Sequence, residues 1–222
     1  MPSLPEHLMR VPVGRERLPR EVMEAHQRER VLDAATAVFA KRGYPATTVE
    51  HLVAGARIGV GSFYSLFEGK QDCFLRAYDR VLADARERIA VAIPAAASWP
   101  QQVLLAFRTL LRFAAERPSQ ARLVLVEAPT AGPPARARYE SAFEHASSVL
   151  RAGRSQTPLG AQLPASFEDA TLSGVIWAVH QRLVSAEVEG IEGLFGELSK
   201  VLLEPHLGEA AAAEQIAAAA AT

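Results

Sequence analysis

Apolar residues recur at helical spacing along nearly the whole chain, and no segment sustains the alternation of a strand. Between Arg20 and Arg42, one stripe holds Val31, Leu32, Ala35, Val38 and Phe39, and Gly43 follows where a helix-ending glycine belongs. From Lys70 to just before Pro94, Phe74, Tyr78, Val81, Leu82, Ala85 and Ile89 repeat the pattern. Ser98-Trp99-Pro100 opens a further helix through Ala115, and Pro118-Ser119 follows as a break. The nearest approach to a strand is Arg122–Val126, read as a short buried helix. A loop over 128–134 leads to a helix over Ala135–Arg151, and Gly153–Pro164 is the longest break. Two last helices are expected over Phe167–Val188 and Ile191–Leu203, close enough in sequence to pack antiparallel. The expected fold class is therefore all-α.

The stretch from Thr47 to Lys70 departs from this regularity. Thr47 and Glu50 have capping-box spacing, which predicts a helix start there, with Val49, Leu52 and Val53 facing inward and an end near Ala56. Four glycines then fall within sixteen residues, Gly55 to Lys70. With Gly59 as N-cap, Ile58 and Phe63 take the positions of a hydrophobic staple, and Phe63, Leu66 and Phe67 share one face. Two short helices joined by a tight turn describe a helix-turn-helix, whose second helix enters the major groove by its N-terminal end. Gly59 and Gly61 would let backbone N–H groups approach a phosphate. The same glycine pair also fits a plain turn, and the second helix offers only Ser62, Tyr64 and Ser65 as polar groups, with Arg57 upstream. Direct base readout more often recruits Arg, Lys, Asn or Gln.

The run TTVEHLVAGARIGVGSFYSLFEGKQDCF, Thr47 to Phe74, resembles the DNA-binding signature of TetR-family transcriptional regulators. The matching parts are the Thr-Thr helix start, Gly61, Tyr64, Phe67, Lys70, Asp72 and Phe74, preceded by a first helix with Phe39, Gly43 and Tyr44. The specific likeness covers about residues 26–78; beyond it only the architecture is similar. The resemblance implies an N-terminal three-helix helix-turn-helix domain (20–69) and a C-terminal helical ligand-binding and dimerisation domain (70–207); the alanine-rich tail (208–222) reads on composition as a frayed helix or a disordered end. It implies DNA contacts from Thr47 or Thr48, Gly61, Ser62, Tyr64 and Ser65, with Lys70 neutralising a phosphate. Arg57 and Val60 stand where the family often has glycine and lysine, so Arg57 is a phosphate contact or a solvated turn residue, and Val60 meets a thymine methyl or packs. Residues 1–19 form a basic arm with Arg10, Arg15 and Arg17, next to Arg20, either a minor-groove arm or a charged tail.

The resemblance further implies a homodimer through the last two helices, a near-palindromic double-stranded DNA operator and a small-molecule effector. Gly174, Gly193 and Gly196 would allow close helix approach. Candidate effector-pocket residues are Trp99, Phe107, Arg122, Glu127, Tyr139, Phe143, Trp177 and His180, chosen as aromatic or polar groups on mostly apolar helices. Ordinary core competes strongly for Phe107 and Phe143, and an interface role for His180. The long helix from Lys70 is expected to touch the operator at its start and the pocket at its far end, and to pivot when a ligand binds.

Charge and composition narrow the alternatives. The net charge is -1, but residues 10–70 carry ten Lys/Arg against seven Asp/Glu, and residues 71–222 fourteen against seventeen. Positive potential thus gathers toward the N-terminal third. A single cysteine, Cys73, excludes an intramolecular disulfide or a cysteine-based zinc site and suits a reducing cytoplasm. No cofactor, metal site or membrane span is expected, and no zinc-protease or phosphate-loop motif points to an enzyme. The competing class is an all-helical interaction or scaffold protein without DNA specificity.

Overall fold

The computed structural model describes residues 20–185 and 187–220. The basic arm, with Arg10, Arg15 and Arg17, and the Arg20 side chain lie outside that description. Among the described residues the chain is helical, with no strand. The helices are α1 (Arg20–Arg42), α2 (Val49–Ala56), α3 (Val60–Tyr64), α4 (Lys70–Ala92), α5 (Trp99–Glu116), α6 (Pro118–Arg122), α7 (Pro133–Arg151), α8 (Phe167–Val184), α9 (Leu194–Leu207) and α10 (Glu209–Ala220).

Local chemistry sets most of the boundaries. Gly43 adopts φ +79° and its N–H closes on the Phe39 carbonyl at 2.9 Å, so α1 stops where the glycine permits. Ser98 and Gln101 form a capping box at the head of α5, where Pro100 needs no donor. Prolines also open α7, two residues earlier than expected, after Gly132 at φ +97°. The strand-like run after Arg122 is neither strand nor α-helix: Leu123–Glu127 winds as a π-helical turn and passes into a 3-10 turn at Ala128–Thr130.

Two cores divide the molecule unequally. The first gathers α1 to α4 around Phe39, Phe63, Phe74 and Tyr78 and takes in Phe113, Leu123, Ala128, Ala131 and Ala135 from further along. It therefore runs past residue 69, where the expected N-terminal domain ends. Phe39, Tyr44 and Phe74 form an aromatic triangle with centroids 5.0 to 5.7 Å apart. The second core packs α5, α8, α9 and α10 around Trp99, Leu104, Leu183 and Leu203.

At the end of the chain one expectation is corrected and one open alternative is resolved toward helix. Residues 185–193, with a 3-10 turn at Val188–Gly190, separate α8 from α9; Ile191 is buried inside this connection rather than opening the helix. The alanine-rich tail is α10, packed on α5 and α9 with Ala212 and Ala219 buried, and Arg108 donates to the Ala219 carbonyl. Alanine's helix propensity supplies the element, and one small-residue face lets it lie close.

A buried polar cluster ties the 153–164 connection to the second core. Glu168 is 1 % exposed and accepts a 2.8 Å hydrogen bond from Arg154, which also donates to the carbonyls of Leu163 and Pro164. His206 Nε2 lies 4.0 Å from the other Glu168 oxygen, with its ring 4.8 Å from that of Trp99. Burial holds the His206 imidazole below its ordinary value against the pull of Glu168. Burial pushes the Glu168 carboxyl up, but the Arg154 hydrogen bond and charge outweigh it and leave the group below the ordinary range.

Candidate functional site

The α2–α3 unit is mounted on the first core by three devices. Arg30 of α1 donates to the Ala56 carbonyl at 2.6 Å, tying down the end of α2. Ile58 packs against the core and Phe63 is fully buried, as the staple spacing predicts, with Gly59 as the N-cap of α3. Phe63 and Phe67 pack with centroids 5.3 Å apart beneath the helix. What remains outside is a compact polar and small-residue face. Tyr64 is 56 % and Val60 47 % exposed, Thr48, Arg57, Gly61 and Ser65 are exposed, and Ser62 is half-buried. A Cβ at Gly59 or Gly61 would meet nothing within 4 Å. The structure brings Val60, Gly61, Tyr64 and Ser65 together on this helix, with Thr48 at the head of α2 and Arg57 in the turn.

Arg57 carries the one positive φ of a non-glycine among the described residues, φ 54°, ψ 48°. It is the C-cap of α2, and its N–H closes on the Ala54 carbonyl at 3.3 Å. Left-handed backbone at a residue with a Cβ is costly, so glycine would sit there with less strain.

Two expected phosphate contacts change character. Thr47 is buried and its hydroxyl donates back to the Gly43 carbonyl at 2.8 Å, so it cannot face a phosphate. The capping box lies one residue later: Thr48 is the N-cap, and its N–H donates to His51 Nδ1 at 3.1 Å, not to Glu50. Lys70 is half-buried, donates to the Tyr44 carbonyl at 3.0 Å and stands 4.3 Å over the Tyr44 ring. One of its three donors is thus committed to the α1–α2 turn. Cys73 beside it is fully buried, and burial pushes the thiol up to about 12, so it is inert packing.

In the C-terminal half a cleft of about 720 Å3 opens between α7, α8 and the residues around the π-turn. Tyr139, Phe143, Trp177 and His180, four of the eight residues named for an effector pocket, line it. Leu125, Val126, Pro129, Thr130, Glu140, Glu144, Ser173 and Ile176 complete it. Sequence reasoning missed Glu140 and Thr130, because nothing local marks a polar residue as facing a cleft. The rings of Trp177 and His180 stack at 5.4 Å and 8°. His180 Nδ1 is buried without a hydrogen-bond partner. Burial raises the Tyr139 phenol.

The other four expected pocket residues serve elsewhere. Trp99 is core and donates to the Val149 carbonyl at 2.8 Å. Phe107 is core and stacks on Phe195 at 6.1 Å. Arg122 donates to the Ala40 carbonyl of α1 at 3.1 Å and to the Leu183 carbonyl at the end of α8. Glu127 is buried, and its Oε2 accepts the Tyr44 N–H at 2.8 Å. Both polar residues therefore join the π-turn to the α1–α2 region rather than line the cleft. No residue of α4 lines the cleft; α4 instead packs against the π-turn behind the cleft wall, so its expected link to the pocket is one step removed.

Among the described residues no group of three or more His, Cys, Asp or Glu is placed to hold a metal ion, and no helix is long and apolar enough to cross a membrane.

Residues 31–77 match the family described as bacterial regulatory proteins, tetR family. A Bacillus subtilis (strain 168) protein described as an uncharacterized HTH-type transcriptional regulator, YhgD, is 26% identical over 91 residues. That alignment takes in 41% of this chain and 48% of the relative, so the chain spans about half the length of the curated relative it matches. The fold is similar to that of a solved gamma-butyrolactone receptor described as ArpA-like, with TM-score 0.68, 20% identity, and coverage of 90% of this chain and 97% of the other. It is also similar to FadR from Bacillus subtilis in complex with stearoyl-CoA, with TM-score 0.64, 17% identity, and coverage of 82% and 98%.

Proposed function

We propose, from the chain's membership of the tetR family of bacterial regulatory proteins, that it is a sequence-specific DNA-binding transcriptional regulator, a dimeric repressor that leaves its operator when a small molecule fills the α7–α8 cleft. The carrying observation is the exposed face of α3. Tyr64 and Val60 stand out from a helix whose other side is locked by Phe63 and Phe67, an arrangement with no evident use in packing. Tyr64, Ser65 and Gly61 meet the groove, Thr48 and Arg57 take phosphates, and Lys70 adds charge with the donors that Tyr44 leaves free. The chain acts in the cytoplasm as a regulator and not as an enzyme.

Dimerisation uses the outer faces of α8 and α9. Gly174 and Val184 are exposed on α8 outside the cleft lining, and Gly196 and Val201 on α9. A Cβ at Gly174 or Gly196 would meet nothing within 4 Å, which leaves both open to close approach by a second copy. A two-fold pair sets two α3 helices about one DNA turn apart, roughly 34–36 Å.

The cleft and the α1–α2 turn share one wall. Leu125, Val126, Pro129 and Thr130 face the cleft, and Glu127 between them holds the Tyr44 N–H. A ligand that displaces this wall moves Tyr44, and with it the entry to α2 and the Lys70 head of α4. A ligand acts only through its unequal affinity for the two arrangements.

Selection of bound sequences from a random DNA pool with the purified chain tests the reading. A near-palindrome with half-sites one turn apart is expected, with affinity falling steeply as salt rises. Recovery of no common sequence would sink the DNA-binding reading in favour of the interaction-protein class.

A further inference from the structure

The α7–α8 cleft has a sign. We propose that it takes a cationic ligand, an aromatic or alkyl amine carrying one positive charge. This rests on reading the cleft as the effector site. Its volume, about 720 Å3, is that of a small-molecule pocket. Its ionisable lining is Glu140, Glu144, Tyr139 and His180, and no Lys or Arg lines it.

The neighbouring charges decide how much of that acidity is available. Glu144 shares Arg151 at 3.1 Å and is partly neutralised. Glu140 has no ion pair or hydrogen bond among the described residues. Arg138 is held by Asp79 at 2.9 Å. Arg136 reaches the Pro129 carbonyl at 3.5 Å but does not line the cleft. One carboxylate therefore faces the site unpaired.

The remaining walls suit the organic part of such a ligand. Phe143, Ile176, Leu125 and Val126 are apolar, and the stacked Trp177–His180 pair presents an aromatic face. An ammonium over an indole gains cation–π attraction in addition to the carboxylate. The buried, unpartnered His180 Nδ1 offers a hydrogen-bonding group. A phosphate-bearing ligand such as the stearoyl-CoA in the FadR neighbour would meet two carboxylates here and no lining cation.

The test uses the full chain and three probes of nearly equal shape: 2-(1-naphthyl)ethylamine, 2-(1-naphthyl)ethanol and 1-naphthaleneacetate, titrated by calorimetry at neutral pH. The amine is expected to bind about ten-fold or more tighter than the acid, with the alcohol between them. Glu140→Gln is expected to weaken the amine about three- to ten-fold and leave the alcohol unchanged. Trp177→Ala weakens all three and so reports the location. Both side chains are exposed, so both variants retain the fold. Equal or tighter binding of the acid overturns the proposal, as does an unchanged amine-to-alcohol ratio in Glu140→Gln, or no binding of any probe at millimolar concentration. Operator affinity measured with and without saturating amine separates the two readings. If the amine binds but operator affinity does not move, the effector role fails while the charge preference stands.

Discussion

At the residue scale, Arg57 separates stability from function. Its left-handed backbone costs about 1–2 kcal/mol relative to a residue that tolerates it, while its side chain is exposed and, in the function we propose, meets a phosphate. Arg57→Gly should therefore raise the unfolding free energy by about 1 kcal/mol in a urea titration and, at the same time, weaken operator binding and flatten its salt dependence. A variant that is stabilised with unchanged operator affinity removes Arg57 from the contacts. Glu127 gives the opposite pattern. Glu127→Ala leaves the Tyr44 N–H without its 2.8 Å partner, a loss of about 1–3 kcal/mol if water does not replace it. Both residues show what local reading can and cannot reach. The glycine preference at position 57 has a backbone cause that the family likeness alone did not state. Glu127 was picked as a buried carboxylate in need of a partner, but its partner is a backbone N–H 83 positions away in sequence.

At the element scale, the helices written by caps and periodicity were legible. The ends of α1 and α4, the head of α5 and the Gly59 start of α3 all follow from Gly43, Pro94, Ser98 and the Ile58–Phe63 staple. The Thr47–Thr48 cap was displaced by one residue because both threonines suit the role locally, and the hydrogen bond to the Gly43 carbonyl goes with a buried Thr47. The π-turn at Leu123–Glu127 was not legible, since its hydrogen-bond period leaves no distinct apolar pattern over five residues. The connection after α7 is tied to the second core through Arg154, which bonds Glu168 and two carbonyls of the connection. Arg154→Ala would leave buried Glu168 without its hydrogen-bonded cation, with only the more distant His206 beside it, and a loss of about 3–5 kcal/mol is expected in thermal or urea unfolding. Gly153→Ala strikes the same place sterically, because its Cβ would come 2.4 Å from the Trp99 ring, which the Val149 carbonyl holds in position. About 1–3 kcal/mol is expected from that overlap.

At the scale of the whole molecule, the exposed face of α3 was more legible than the cleft. A recognition face is a local pattern on one short helix. A cleft is made by elements far apart in sequence, and choosing aromatic residues cannot tell lining such as Trp177 from core such as Trp99. Acid sensitivity also belongs to this scale. His206 stays neutral in the fold because burial lowers its affinity for a proton, while the unfolded chain takes one up near 6.5. Its contribution is therefore present above about 6.5 and lost as pH falls, and Glu168 adds to the loss further down. Melting temperature should drop between pH 7.5 and about 5.5, and His206→Gln should flatten that slope. The clamp on Tyr44 reaches further. Its N–H is held by Glu127 and its carbonyl and ring by Lys70, so the helix-turn-helix is finished by a side chain from the other half. Such a unit does not travel alone: a chimera that grafts residues 20–69 onto a foreign regulatory body would inherit an unfinished fold unless that body also supplies an acceptor for Tyr44.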